Sequence, residues 1–177
     1  MTNPTPGIAK SALALSKKLQ DEVREALRPP QEGYWAKTEH VIPIFLVKET
    51  RGYIEKVANQ INGCYESGWY DACAVMIRRL IETLLIEAFE HNGIADEIKD
   101  ANGNFLPLED IINRAIAETA KWNLSRDAKR GLPQLKQLGD RSAHNRRFNA
   151  RRADLDKVID GVRLIVEELL YISGLRR

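Results

Sequence analysis

Apolar residues recur at three- and four-residue intervals through most of the chain, which predicts amphipathic helices. Ile8, Leu13, Leu15, Leu19, Val23 and Leu27 fit one stripe of a first helix over Ile8–Arg28, which Pro29 and Pro30 stop. Tyr53, Ile54, Val57, Ala58, Ile61 and Cys64 or Tyr65 predict a second from about Thr50 to Ser67, ended by Gly68. A third, from about Trp69 to His91, carries Cys73, Met76, Ile77, Leu80, Leu84 and Ala88 on one stripe. Val75, Ile81, Leu85 and Phe89 widen that stripe, so this helix should be central, with Asn92-Gly93 as its C-cap. Arg78 and Glu82 within it are spaced i, i+4 and can pair.

Asp100–Leu106 reads as a turn or small hairpin, and Pro107 followed by Glu109 and Asp110 opens a helix to about Thr119. Ser125 starts another, which Gly131 and Pro133 are expected to interrupt, Pro133 then opening a helix that runs to about Phe148. The last helix is expected over Asp154–Ser173, with Gly174 as its stop. Residues 29–47 lack the helical period and read as an ordered connector whose VIPIFLV stretch packs on the bundle. Strand signals are nearly absent. The expected fold is all-α, an up-and-down helical bundle over 48–177 with an extra N-terminal helix and connector over 1–47.

Composition narrows the class without changing the fold. With 44% apolar residues, 29% charged residues, 11 Gly and 7 Pro in 177 residues, collagen-like, low-complexity and disordered classes are excluded. Cys64 and Cys73 lie inside helical patterns with no CxxC or Cys/His spacing, and read as buried thiols of a cytoplasmic protein with no metal or cofactor. The N-terminus lacks a long apolar core, and the run Val41–Val47 is broken by Pro43, so neither an export signal nor a membrane span is expected.

Charge is what singles out a region. Net charge is only +2, yet Ser125–Ala153 holds nine basic residues against two acidic ones, a local +7 that leaves −5 elsewhere. Such an asymmetry suits an anion-facing surface, the plainer alternative being a solvated helix face. Within it, Lys136, Asp140 and His144 share one helix face at i, i+4 and i+8, flanked by Arg141, Arg147 and Arg151. Leu135, Leu138, Gly139, Ser142 and Ala143 occupy the other side, three of them small enough for close helix approach. His144 both gives and takes a proton near neutral pH, as RNA transesterification requires; Asp140 would orient it and the arginines would stabilise a phosphorane, with no metal. The plainer reading of His144 is a residue fixing a helix junction. His40 and His91 read as a connector residue and a helix C-terminal cap.

The run GCYESGWYDACAVMIRRLIETLLIEAFEHNGI, followed by LKQLGDRSAHN and a final amphipathic helix, resembles the HEPN superfamily (higher eukaryote and prokaryote nucleotide-binding domains). The branch it resembles joins an Arg-x-x-Leu-Glu-like central helix to a Gly-Asn-x-x-Ala-His-like segment, and the likeness covers about Tyr53–Leu175. The resemblance implies a helical bundle, homodimers, and metal-independent ribonucleases or nucleotide binders of bacterial defence and toxin systems. It implies that His144 is the catalytic His and Asp140 the polar position, while the family's Arg position falls on Gly139. Arg141, about 4.5 Å along the helix axis from His144, is then a better replacement than Lys136 at about 12 Å, with Arg78 and Arg79 as other sources. Lys136, Arg146, Arg147, Arg151 and Arg152 would contact RNA or nucleotide. The expected function is RNA or nucleotide binding around His144, extending to metal-independent RNA cleavage; the alternative is a non-catalytic dimerisation or adaptor module with a degenerate site.

Overall fold

A computed structural model describes residues 11, 13–19 and 38–176. The chain divides into two compact units, Met1–Tyr34 and Trp35–Arg177. In the first, residues 13–19 are helical with Leu13, Leu15 and Leu19 exposed; most of the predicted Ile8–Arg28 helix lies outside the described residues.

The second unit is an all-α helical bundle, with no strand among its described residues. Its helices are α1 (Ile44–Val47), α2 (Gly52–Glu66), α3 (Tyr70–His91), α4 (Leu108–Ala117), α5 (Arg126–His144), α6 (Arg152–Asp156) and α7 (Ile159–Ile172), with a short 3-10 helix at Ala95–Ile98. As its apolar breadth predicts, α3 is central and packs against α2, α4, α5 and α7. It buries Cys73, Ile77, Leu80, Ile81, Leu84, Leu85 and Phe89. Gly68 and Gly93 end α2 and α3 at positive φ, 73° and 72°, where a side chain would be strained. Among the described residues no helix is long and apolar enough to cross a membrane.

The connector does pack on the bundle: Val41, Ile42, Leu46 and Val47 are buried in the common core. Asn62 on α2, fully buried, holds it there. Its Oδ1 accepts from the backbone N–H groups of Val41 and Ile42 at 3.0 and 2.9 Å, and its Nδ2 donates to the Ile42 carbonyl at 2.8 Å. These bonds satisfy backbone groups that no helix ladder serves.

Four expectations need correction. Gly131 and Pro133 do not interrupt the helix, since α5 is continuous across both. Pro133 removes one donor, but it lies on the exposed side, while Ala128, Leu132, Leu135 and Gly139 anchor the buried side. Gly131 lies where α7 packs closely on α5, since a Cβ there would come within 2.7 Å of Ile165 Cδ1. Secondly, α5 ends at His144 rather than near Phe148, so Arg147 and Arg151 lie beyond the helix. Thirdly, the C-terminal helix is split at Lys157–Val158 into α6 and α7. The short α6 is fastened by Asp154, which accepts from the Arg151 N–H at 3.0 Å, and by the Tyr65 hydroxyl, which donates to Asp156. Fourthly, Tyr53 is exposed rather than part of the core stripe. Its hydroxyl donates to buried Glu87, which Arg51 also pairs at 2.9 Å; burial and this carboxylate push the phenol up to about 12.

Of the cysteines, Cys73 is buried and Cys64 half-buried, and both are free. Burial pushes both thiols up, Cys73 to about 12, so neither is disposed to act as a nucleophile. His91 is the last residue of α3, its ring lying against Gly174.

Candidate nucleic-acid interface

The N-terminus of α5 is set by Ser125, whose Oγ accepts from the Ala128 N–H at 3.1 Å and donates to Glu168 of α7 at 2.7 Å. Further along, Gly139 lets α5 approach α3 closely. A Cβ on Gly139 would stand 2.6 Å from Arg78 Cβ and 3.1 Å from the Ala74 carbonyl oxygen. Of the small residues predicted to let this segment approach another helix, Gly139 is the one at the close contact, while Ala143 is exposed.

That approach places Asp140 within reach of α3. Its Oδ1 accepts from Arg78 Nε at 2.7 Å and its Oδ2 pairs with Lys136 Nζ at 2.9 Å. Lys136 also reaches Glu109 of α4 at 2.9 Å, and Arg78 keeps the predicted Glu82 as a weaker partner at 3.5 Å. Burial disfavours the Asp140 carboxylate, but the Lys136 and Arg78 cations outweigh that cost and hold its carboxyl below the usual range. Lys136 is shifted upward, chiefly by its bond to Glu109 and then by that to Asp140. Lys136 and Asp140 thus belong to an ion network joining α3, α4 and α5.

His144 stands apart from this network. It is exposed at the last turn of α5 and, among the described residues, its imidazole makes no hydrogen bond or ion pair; Asp140 is instead turned to Arg78 and Lys136. Ser142, two residues earlier, keeps its hydroxyl buried and without a hydrogen-bond partner among the described residues. Arg141 extends over Phe148, its Cζ 4.0 Å from the ring centroid, and Phe148 packs on the core.

Beyond His144 the chain makes an anchored basic loop. Asn145 Oδ1 accepts from the Arg147 N–H at 3.0 Å, and Asp71 at the start of α3 accepts from the Ala150 N–H at 2.9 Å. Arg146, Arg147 and Arg151 project from this loop, exposed and, among the described residues, outside any ion pair. Arg152 is otherwise engaged: its Nε donates to the Tyr65 hydroxyl at 3.1 Å and lies 3.6 Å from Asp156. The ring of His40 stacks on Tyr65 at 4.7 Å, with the planes 11° apart.

Of the sequence-selected residues, the structure gathers His144, Arg141, Arg146, Arg147 and Arg151 at one end of α5 and its following loop, and assigns Lys136, Asp140 and Arg152 to internal ion pairs. Sequence reasoning did not anticipate the Arg78–Asp140 bond, whose partners are 62 residues apart, or the anchoring by Asp71 and Phe148. Only Phe148, an aromatic set among arginines, carried a local signal.

A family model described as Domain of unknown function (DUF4145) matches residues 59–176, about two thirds of the chain, and the chain belongs to that family. No curated protein and no solved structure matches it.

Proposed function

We propose that this member of the DUF4145 family is a HEPN-like cytoplasmic protein that binds RNA through the C-terminal end of α5 and the basic loop after it. The observation that carries the reading is the set of exposed cations Arg146, Arg147 and Arg151, in no ion pair among the described residues, on a loop anchored by Asp71 and Phe148 beside His144. Unspent cations on an anchored segment meet phosphates without first breaking internal pairs or ordering a floppy chain. The HEPN resemblance adds support: its two sequence blocks are α3 and α5, and Arg78 on the first holds Asp140 on the second.

Binding is favoured over cleavage. Asp140 is committed to Arg78 and Lys136, so among the described residues His144 has no carboxylate to orient it, and Arg141 is laid over Phe148. The test is fluorescence anisotropy with labelled RNA at rising KCl. The wild type should show affinity that falls steeply with salt, and replacing Arg146, Arg147 and Arg151 by Gln should flatten the log–log slope by roughly two to three. Absence of salt-sensitive binding would end the reading. The same RNA resolved on a denaturing gel after incubation in EDTA should stay intact; cleavage lost in His144→Ala would replace binding by nuclease chemistry.

A further inference from the structure

The solvent face of α5 carries a second feature that neither the loop nor His144 accounts for. At 100° per residue, Arg126, Arg130, Gln134, Gln137, Arg141 and His144 fall within about 80° of arc on the side opposite the buried Ala128, Leu132, Leu135 and Gly139. All six are exposed. Two acidic residues flank this stripe without lying on it: Asp127 falls about 20° beyond Gln134, and Asp140 about 40° beyond His144, where it is turned toward Arg78 and Lys136. The stripe runs the whole helix, about 27 Å from Arg126 to His144. Cations sit at its two ends, with only the two glutamines between them, and Arg130 lies about 16 Å from Arg141 along the axis.

We infer that α5 is laid against the backbone of double-stranded RNA, its two cationic ends on separate phosphate runs and Gln134 and Gln137 over the groove between. The inference rests on the RNA-binding reading and names the substrate class for it. Three features favour a duplex. The stripe has no Phe, Tyr or Trp, and a single imidazole at its end, His144, falls short of the row of aromatic platforms that single-strand binders depend on. Its length approaches one duplex turn, about 34 Å in B-form DNA. Its central side chains are amides, which donate and accept as a 2′-hydroxyl does, and the wide, shallow minor groove of A-form RNA presents those hydroxyls to a flat surface.

The experiment compares binding of the full chain to an RNA duplex, a single RNA strand of equal length and a DNA duplex, for wild type and for R126Q/R130Q. Arg126 and Arg130 lie at the far end of α5 from the loop and, among the described residues, form no ion pair, so the variant should melt as the wild type does. The wild type should bind duplex RNA roughly tenfold more tightly than either competitor. R126Q/R130Q should lose roughly five- to tenfold of that affinity, and its salt slope should fall by about two. Equal or tighter binding of the single strand or of DNA, or unchanged duplex affinity in R126Q/R130Q, would overturn the duplex assignment and leave loop-mediated binding standing. No binding of any RNA by the wild type would overturn both.

Discussion

Gly139 shows how one missing side chain sets the distance between two helices. An alanine there should gain about 1 kcal/mol of helix propensity. Its Cβ would nevertheless stand 2.6 Å from Arg78 Cβ and 3.1 Å from the Ala74 carbonyl oxygen. Neither atom is the free end of a flexible side chain, so α3 and α5 must move apart. Gly139→Ala should therefore be destabilising, by about 1–3 kcal/mol as overpacked sites are, measured by urea unfolding. A variant as stable as the wild type would mean the helices are not held this closely. Leu135, Leu138, Gly139 and Ser142 made a close-packing side of α5 legible in the sequence, whereas Ala143, read with them, is exposed. Of the residues that side faces, Ala74 was not legible and Arg78 was read only as another source of a cation for the site, because both are more than sixty residues away and no local period fixes what they touch.

Between elements, Asp140 acts as a bolt. It sits on α5, takes Arg78 from α3, and shares Lys136 with Glu109 on α4. The i, i+4 spacing made the Lys136–Asp140 and Arg78–Glu82 pairs readable, but the cross-helix bond at 2.7 Å came only with the fold. The same holds for α5 itself: Pro133 reads locally as a break, and burial of Leu132 and Leu135 overrides it. Because the Asp140 carboxyl is depressed in the folded state, its contribution to stability is complete above the unfolded value of about 3.9 and is lost as pH falls through the lower folded value. Asp100, held low first by the Asn104 backbone N–H, and Glu118, held low first by that of Lys121, behave similarly but are common to both proteins in a comparison with Asp140→Asn. Urea midpoints from pH 6 down to pH 2.5 should show the wild type more stable at the upper end, with the gap closing below about pH 4. A gap that stays constant across that range would mean the carboxylate does no electrostatic work between the helices.

At the scale of the whole molecule, the periodic helices of the bundle and the all-α class were legible because α2, α3, α4, α5 and α7 each bury an apolar stripe. The place where the bundle begins was harder to read. Residues 41–47 carry Pro43 and no helical period, and the family match starts later still, at 59. Yet Val41, Ile42, Leu46 and Val47 belong to the common core. Asn62 binds the backbone of Val41 and Ile42, and Arg163 Nε of α7 donates to the Val41 carbonyl at 3.0 Å. A full burial of each such side chain is worth about 1.5–3 kcal/mol. Even discounted for a compact unfolded state, four of them amount to much of the roughly 5–15 kcal/mol that holds a domain together. Deleting them would also leave buried Asn62 without three hydrogen bonds. A chain of residues 48–177 should therefore show no cooperative thermal transition by circular dichroism, whereas one of residues 35–177 should melt sharply. If the two melted within a few degrees of each other, the 41–47 segment would be a passenger on the bundle, and the helical repeat alone would suffice to build it.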